Sequence, residues 1–368
     1  MEIEKYLNNL EKIVNIDSGS REIEGIREVQ NFLVSLFGKE WNIKEYPQND
    51  GKNPVIVLRN NLEKDIEVLF LGHCDTVFNK NITSTWKYKL ENNIATGPGV
   101  ADMKAGLLAL VEVAEEFKDK DISIAVILNS DEEISSINSR PIIEKYAQGA
   151  KYAFIFEPAR KNGNLVKERK GLVKYHIEFL GKAAHAGNNP DEGINAILAA
   201  TYWIQEISKL HNWEIKNSIN VGVMEGGIGV NIVPDYASFK FEGRSFNLKF
   251  FEKIKQILKE LEEKEVVKGI KVKVSEIGYR PPLVINDRTK LLINLFEESK
   301  NELGIKFDWE TVGGCSDGNF LGVLGLGVVD GIGPIGGNVH SKDEYLEVDS
   351  IEERINLVKK VITKLIKQ

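Results

Sequence analysis

The chain has 368 residues, enough for two domains with separate cores, and a formal net charge of −7 with acids and bases mixed along it. No Lys/Arg run or basic stripe is present, so nucleic acid is not an expected partner, and no apolar run is long enough to suggest a membrane span. Only two cysteines occur, Cys74 and Cys315, which excludes a disulfide framework and makes a reducing cytoplasm the expected location.

Residues 1–7 predict the start of an amphipathic helix with acids in it, rather than a signal peptide. Residues 55–58 and 66–71 predict strands, and 102–117 a helix with Leu107, Leu110, Val111 and Ala114 on one face. Residues 122–128 and 153–156 are short, nearly continuous apolar runs, as expected of strands covered on both faces. Together these predict a layered α/β domain. The pattern changes near Gly171. Residues 173–180 alternate like a half-exposed strand, and a helical stretch covers 194–210. Strands follow at 219–224 and 236–241, then a helix at 248–264 and an alternating strand at 270–275. That β-α-β-β-α-β order predicts a ferredoxin-like domain with one sheet face covered by helices. Arg280-Pro-Pro-Leu ends it with a stiff connection. Helices at 287–303 and 351–366 return to the first style, the last with Ser350 and Glu353 as a capping box. The expected division is residues 1–170, an insertion at 171–282, and 283–368. No internal repeat or low-complexity tract occurs.

In open α/β sheets, ligands gather beyond the carboxyl ends of strands. Gly72-His-Cys-Asp-Thr places His73 and Asp75 on one side of extended chain. There the Asp75 carboxylate can accept the free ring N–H and fix the tautomer that a metal-bound imidazole requires. Cys74 points the other way and reads as a small buried hydrophobe. Gly97-Pro-Gly-Val-Ala-Asp-Met-Lys-Ala-Gly leads into a helix with Asp102 near its start. A phosphate-cradling loop does not fit, because no Gly-Lys-Ser/Thr ending follows and the carboxylate would repel the anion. An N-cap is the ordinary role of such an aspartate, and capping does not exclude ligation. Gly325-Leu-Gly-Val-Val-Asp-Gly is too weak a glycine pattern to signal a nucleotide. Asp131-Glu-Glu follows a buried strand, where unpaired charge is costly. A metal resolves that cost, with Glu133 as ligand and Glu132 free as a base. Glu157, in Phe156-Glu-Pro, repeats the placement, while His340 lies in a glycine-rich loop that alone signals nothing. Two imidazoles and three carboxylates (His73, Asp102, Glu133, Glu157 and His340) form a nitrogen–oxygen set suited to zinc, unlike a thiolate site or an all-oxygen calcium cage.

Gly-His-Cys-Asp-Thr-Val, Gly-Pro-Gly-Val-Ala-Asp-Met-Lys, Asp-Glu-Glu, Phe-Glu-Pro, Gly-Lys-Ala-Ala-His-Ala-Gly and Val-His-Ser-Lys-Asp-Glu-Tyr occur in one order along nearly the whole chain. In that order they resemble the co-catalytic zinc hydrolase family of acetylornithine deacetylase, succinyl-diaminopimelate desuccinylase, aminoacylase and glutamate carboxypeptidase. The Phe-Glu-Pro and Gly-Lys-Ala-Ala-His-Ala-Gly segments look most like glutamate carboxypeptidase. The resemblance implies an α/β fold: a mixed-sheet zinc-peptidase catalytic domain with an inserted ferredoxin-like α+β lid and dimerisation domain. It also implies two zinc ions per subunit, with manganese or cobalt as substitutes. Asp102 would bridge them, His73 and Glu157 completing one metal, Glu133 and His340 the other. Glu132 matches the general base, and Asp75 the carboxylate that holds His73. His185 matches a lid residue that reaches the partner subunit's site and polarises the scissile carbonyl. Asn231 and Arg244 match substrate-binding positions, Arg244 being suited to grip a carboxylate. Glu242 departs from the aspartate that the family often has two residues before that arginine. His176 and His211 match nothing and read as structural or surface residues.

The implied activity is hydrolysis of the amide bond in a small peptide, of carboxypeptidase or dipeptidase type with C-terminal glutamate as one candidate, by a cytoplasmic homodimer. N-acyl amino acid deacylation, of aminoacylase or acetylornithine deacetylase type, is the alternative. A non-catalytic metal-binding relative would have lost a ligand or the base, and none is lost here. Neither cysteine matches a nucleophile motif.

Overall fold

The computed structural model describes residues 2–47 and 54–368; Met1, at the start of the predicted first helix, lies outside them. The first stretch runs α1 (Ile3–Val14), α2 (Ile23–Val34), β1 (Asn42–Tyr46), β2 (Val55–Arg59), β3 (Val68–His73), β4 (Lys89–Glu91) and β5 (Ile94–Thr96). It continues with α3 (Gly106–Phe117), β6 (Ile124–Asn129), α4 (Arg140–Ala147), β7 (Tyr152–Ile155) and β8 (Leu165–Arg169). The middle stretch runs β9 (Gly171–Leu180), β10 (Ala184–His185), α5 (Ala196–Ser208), β11 (Ser218–Gly226), β12 (Ile232–Val233), β13 (Tyr236–Ser245), α6 (Leu248–Lys264) and β14 (Lys271–Arg280). The last holds α7 (Asp287–Leu303), β15 (Trp309–Val312), α8 (Gly318–Gly322), β16 (Gly327–Asp330), β17 (Gly336–Gly337), β18 (Tyr345–Glu347) and α9 (Asp349–Leu365). The chain folds as two compact units, residues 1–169 with 283–368, and residues 170–282. Among the described residues, no helix is long and apolar enough to cross a membrane.

The first unit is built on an eight-stranded mixed sheet, in the order β1-β2-β6-β3-β7-β16-β8-β15. β6, β3 and β7 run parallel at its centre. Every residue of β3 and β6 is buried, which is why these segments read as unbroken apolar runs. Side chains alternate across the sheet: Phe70, Val126 and Phe154 join the core under α3, while Leu69, Leu71, Ile127 and Ile155 join a second core on the other face. Each fully buried side chain of this size contributes about 1.5–3 kcal/mol relative to exposure. Parallel pairing also puts three strand ends on one edge. His73 is the last residue of β3, Glu132 and Glu133 lie in the turn after β6, and Glu157 follows β7.

Arg169 and Leu283 flank the second unit in sequence. They exchange both main-chain hydrogen bonds, at 2.9 and 3.0 Å. The Arg169 guanidinium is forked on Asp330 through two bonds of 2.7 Å.

The second unit is a four-stranded antiparallel sheet, β11-β13-β9-β14. Ile177, Phe179, Phe239 and Phe241 pack with Trp203 of α5 and with Ile254 and Leu258 of α6 into one core. Asn195 and Asn247 cap α5 and α6, their side-chain oxygens accepting from the N–H of Leu198 at 2.9 Å and Lys249 at 3.0 Å.

The capping box expected for the last helix is not formed. α9 already begins at Asp349, and Ser350 lies inside it. The Ser350 hydroxyl donates to the Glu347 carbonyl at 2.6 Å and accepts from the Ile335 N–H at 2.8 Å. A buried serine thus ties the helix start to a neighbouring segment, and packing overrides the local motif.

Candidate metal centre

The ends of β3, β6 and β7 and the loops at residues 100–105 and 338–344 bring five side chains together. His73 Nε2 lies 3.3 Å from Asp102 Oδ1 and 3.5 Å from Glu157 Oε1. His340 Nε2 lies 3.3 Å from Asp102 Oδ2 and 3.3 Å from Glu133 Oε2. Asp102 therefore belongs to two trios, one oxygen toward each, and within each trio the donor atoms lie within 4.8 Å of one another. Asp102 Oδ1 and Glu133 Oε1 are buried without a hydrogen-bond partner, a costly state for anionic oxygen. The donor set and these orphaned oxygens fit a pair of divalent cations sharing Asp102.

The charges in this cluster compete. Burial opposes a charged His73, yet Glu157, Asp102 and Asp75 outweigh it and hold the imidazole well above its usual pKa. Burial and then the Asp102 charge push Glu157 up to about 8, and burial also raises Glu133. Hydrogen bonds to Asp102 and Glu133 carry His340 up to about 10. Burial would raise Asp102 as well, but the two imidazoles hold it well below the carboxylate range. Such mutual dependence is expected where several anions share too little positive charge, the arrangement that a bound metal relieves.

Asp75 lies against both His73 and the turn after β6. His73 Nδ1 lies 2.9 Å from the Asp75 main-chain carbonyl and 3.4 Å from its carboxylate, so the carbonyl is the nearer acceptor fixing the ring. The carboxylate also accepts from the N–H groups of Glu132 and Glu133, at 3.1 and 3.2 Å, and from the Ser20 hydroxyl at 2.7 Å. Asp75 thus anchors the turn that carries both glutamates. A cavity of about 370 Å³, lined by Ser20, Thr76, Phe78 and Glu133 among others, opens beside that turn.

Asp102 does not cap α3. It lies in an irregular turn at residues 100–105, with φ −110° and ψ 91°, and the helix begins only at Gly106. The reason is Glu344. Its buried carboxylate accepts from the N–H groups of Gly99, Ala101 and Asp102 at 3.3, 2.9 and 3.0 Å, holding three backbone donors out of a helix. Burial pushes Glu344 up to about 7. Neither Glu344 nor Ser20 is found by the sequence reading. Glu344 stands in the same short segment as His340, which was its one signal.

Three further predicted residues lie in the second unit. β10 and β12 form a two-stranded ribbon in which His185 pairs with Ile232, next to Asn231, whose carbonyl accepts from the Ala186 N–H at 3.0 Å. His185 Nδ1 accepts from the N–H groups of Gly187 and Asn188, each at 3.1 Å, so the neutral ring carries its proton on Nε2. Arg244 is at the other end of β13, opposite Leu172, and its guanidinium is forked on Glu242 at 2.8 and 3.2 Å. The eight residue-to-residue steps of β13 from Tyr236 to Arg244 separate the two ends by roughly 26 Å. Cys74 is fully buried, and burial raises its thiol, in keeping with an inert packing role.

Residues 69–364 match the family described as Peptidase family M20/M25/M40. The chain is 28% identical to carboxypeptidase G2 of Pseudomonas sp. (strain RS-16), over 98% of this chain and 89% of that protein. It is 26% identical to acetylornithine deacetylase of Buchnera aphidicola subsp. Schizaphis graminum, over 99% and 97%. In fold it is similar to the crystal structure of a tripeptidase from Staphylococcus aureus, with a TM-score of 0.77, 22% identity and full coverage of both chains. With its clusters of His, Asp and Glu that could hold a metal, this chain is a member of the M20 peptidase family of hydrolases.

Proposed function

We propose that the protein is a two-zinc amidohydrolase cleaving the amide bond of small peptides in carboxypeptidase or dipeptidase fashion. The observation that carries this reading is Asp102 standing between two trios, one oxygen toward His73 and Glu157 and the other toward Glu133 and His340. These five side chains would hold the metals, which supply Lewis acidity and lower the pKa of a water to about 7. Glu132, on the turn anchored by Asp75, takes the proton of the attacking water and returns it to the departing amine. His185, with its proton on Nε2, donates to the developing oxyanion, an interaction of about 3 kcal/mol for one well-placed donor. Arg244 binds the substrate carboxylate. Because His185 and Arg244 lie at opposite ends of β13, one copy of this unit does not bring them to one point, which supports a homodimer in which His185 serves the partner's site.

The likeness to carboxypeptidase G2 favours peptide substrates, and that to acetylornithine deacetylase keeps N-acyl amino acid deacylation as the second reading. Amino-acid release from matched dipeptides and N-acyl amino acids by zinc-reconstituted protein tests both. Release should vanish on chelation, and Glu132→Ala should lower turnover by about 10²–10⁴-fold with two metals still bound. Full activity in that variant, or silence across the panel with two metals bound, would overturn the reading.

A further inference from the structure

Beside the metal centre, three apolar side chains stand partly in the open. Val77 is 39% exposed and Ile134 41%, and Phe78 is half-buried. All three line the cavity of about 370 Å³ that Glu133 also lines. A lone exposed apolar residue is ordinary, but several gathered round one cavity mark a binding surface. That volume stands at the small end of the roughly 300–1,000 Å³ found for ligand pockets, room for one side chain rather than a long segment.

The Phe78 wall is held from several sides. Gly19 and Thr76 form a parallel bridge, the Thr76 N–H donating to the Ser18 carbonyl at 2.9 Å and the Ser20 N–H to the Thr76 carbonyl at 3.1 Å. A Cβ at Gly19 would collide with the Phe78 carbonyl oxygen, so the two segments approach as closely as backbone permits. The Phe78 ring meets Trp86 edge-on, with centroids 5.2 Å apart. Just beyond, the Asp17 carboxylate accepts from the N–H groups of Asn81 and Thr83 at 2.7 and 3.0 Å. Glu22, a charged member of the lining, faces Lys80 at 3.7 Å. The apolar wall is thus set in place before any ligand arrives, which lowers the ordering cost of binding.

We infer that Val77, Phe78 and Ile134 form the subsite for an apolar group on the acyl side of the scissile amide. That group is the side chain of the residue preceding the bond in a peptide, or the chain of an N-acyl amino acid. The inference rests on the amidohydrolase reading. An acyl substituent is bonded directly to the carbon under attack, so the surface receiving it must adjoin the metal ligands. Glu133 meets that condition, being a member of the second trio and part of the cavity wall. Arg244, read as the grip on the carboxylate of the departing residue, belongs to the other unit, which leaves the acyl side for this cavity.

The test holds the departing residue constant and varies the acyl side, on wild type, Phe78→Ala and Val77→Ser. Dipeptides begin with Gly, Leu, Phe or Glu, and N-acyl amino acids carry acetyl or hexanoyl. Thermal unfolding verifies the fold of both variants, and the Gly and acetyl substrates, which leave the cavity empty, report the chemistry alone. Wild type should favour Leu or Phe over Gly, or hexanoyl over acetyl, by at least about tenfold in kcat/KM. Phe78→Ala should bring that ratio to within about threefold of unity and Val77→Ser should lower it less, with Gly and acetyl rates changed by no more than about twofold. The series that shows the preference identifies the source of the apolar group. A wild-type ratio near one, a ratio unchanged in both variants, or a preference for Glu overturns the subsite while leaving the hydrolase standing. If nothing turns over with two metals bound, the hydrolase reading fails on its own, and equilibrium binding of the leucyl and glycyl dipeptides decides. Tighter binding of the leucyl dipeptide, weakened in Phe78→Ala, then supports the apolar seat; equal binding or none overturns it.

Discussion

The Glu344 carboxylate binds main-chain N–H groups, and through them it sets the backbone of Asp102, the residue shared by both trios. Three N–H groups point at one buried carboxylate, and the turn at residues 100–105 takes its shape from them. Glu344→Ala would leave those donors without their acceptor, and residues that orient ligands typically change metal affinity by about 10–100-fold. We expect a loss of that size in Glu344→Ala, with a smaller one in Glu344→Gln, which keeps a carbonyl oxygen; competition against a chelator measures both. Unchanged affinity in Glu344→Ala would show that the turn holds its shape by other means. Of the five side chains of the trios, Glu133 and Glu157 could be picked out of the sequence because charge at the end of a buried strand is anomalous on its face, whereas His340 stands in a loop that alone signals nothing. Glu344 and Ser20 could not, because their partners are backbone groups and a carboxylate far away in the chain, and no local pattern encodes those.

At the scale of elements, the turn after β6 is a short segment fastened at several points. Asp75 holds the N–H groups of Glu132 and Glu133. Asp131 accepts from the Asn138 N–H at 2.7 Å and from the Ser139 hydroxyl. Asp317, immediately before α8, accepts from the Asn129 side-chain amide and the Ser136 hydroxyl. Asp317 is thus a positioning residue for the turn that carries Glu132. Displacements on the order of 1 Å can reduce a rate by about 100-fold, so Asp317→Ala should lower kcat toward that extent with KM and metal content little changed. Asp317→Asn should recover most of it, because Asn129 Oδ1 accepts no bond and can turn toward the new amide. Steady-state kinetics with metal analysis would check this, and a full kcat in Asp317→Ala would remove the role. Four strands of the first sheet (β2, β3, β6 and β7) and the four of the second were readable, since continuous apolar runs and alternating ones have different periods, whereas β1, β8, β15 and β16 were not read. Two expected helix starts, at Asp102 and after Ser350, are places where a distant partner outcompetes the local cap.

For the molecule as a whole, the dimer reading makes a quantitative prediction. Mixed dimers of two inactive variants, Glu132→Ala and His185→Ala, contain one site with both groups intact if His185 acts across the interface. Random reassortment of subunits should then restore about a quarter of wild-type activity. No recovery, with mixed dimers confirmed by mass, would assign His185 to its own subunit. Which residues of the second unit would serve which site is a property of an assembly, and one chain's periodicity carries no trace of it. The β-α-β-β-α-β order of residues 170–282, in contrast, was legible because every strand declares its two faces.

The clasp between Arg169 and Leu283 has a consequence for how such a chain can change. With their main-chain groups bonded in both directions, the two cut ends of the first unit meet like the arms of a hairpin. Closing them needs little additional ordering, whatever length of polypeptide is spliced between, because loop-closure entropy rises only slowly with length. The intervening segment can therefore be exchanged, lengthened or trimmed over evolution while the strand ends that carry His73, Glu133 and Glu157 keep their register, so selectivity and chemistry are free to diverge separately.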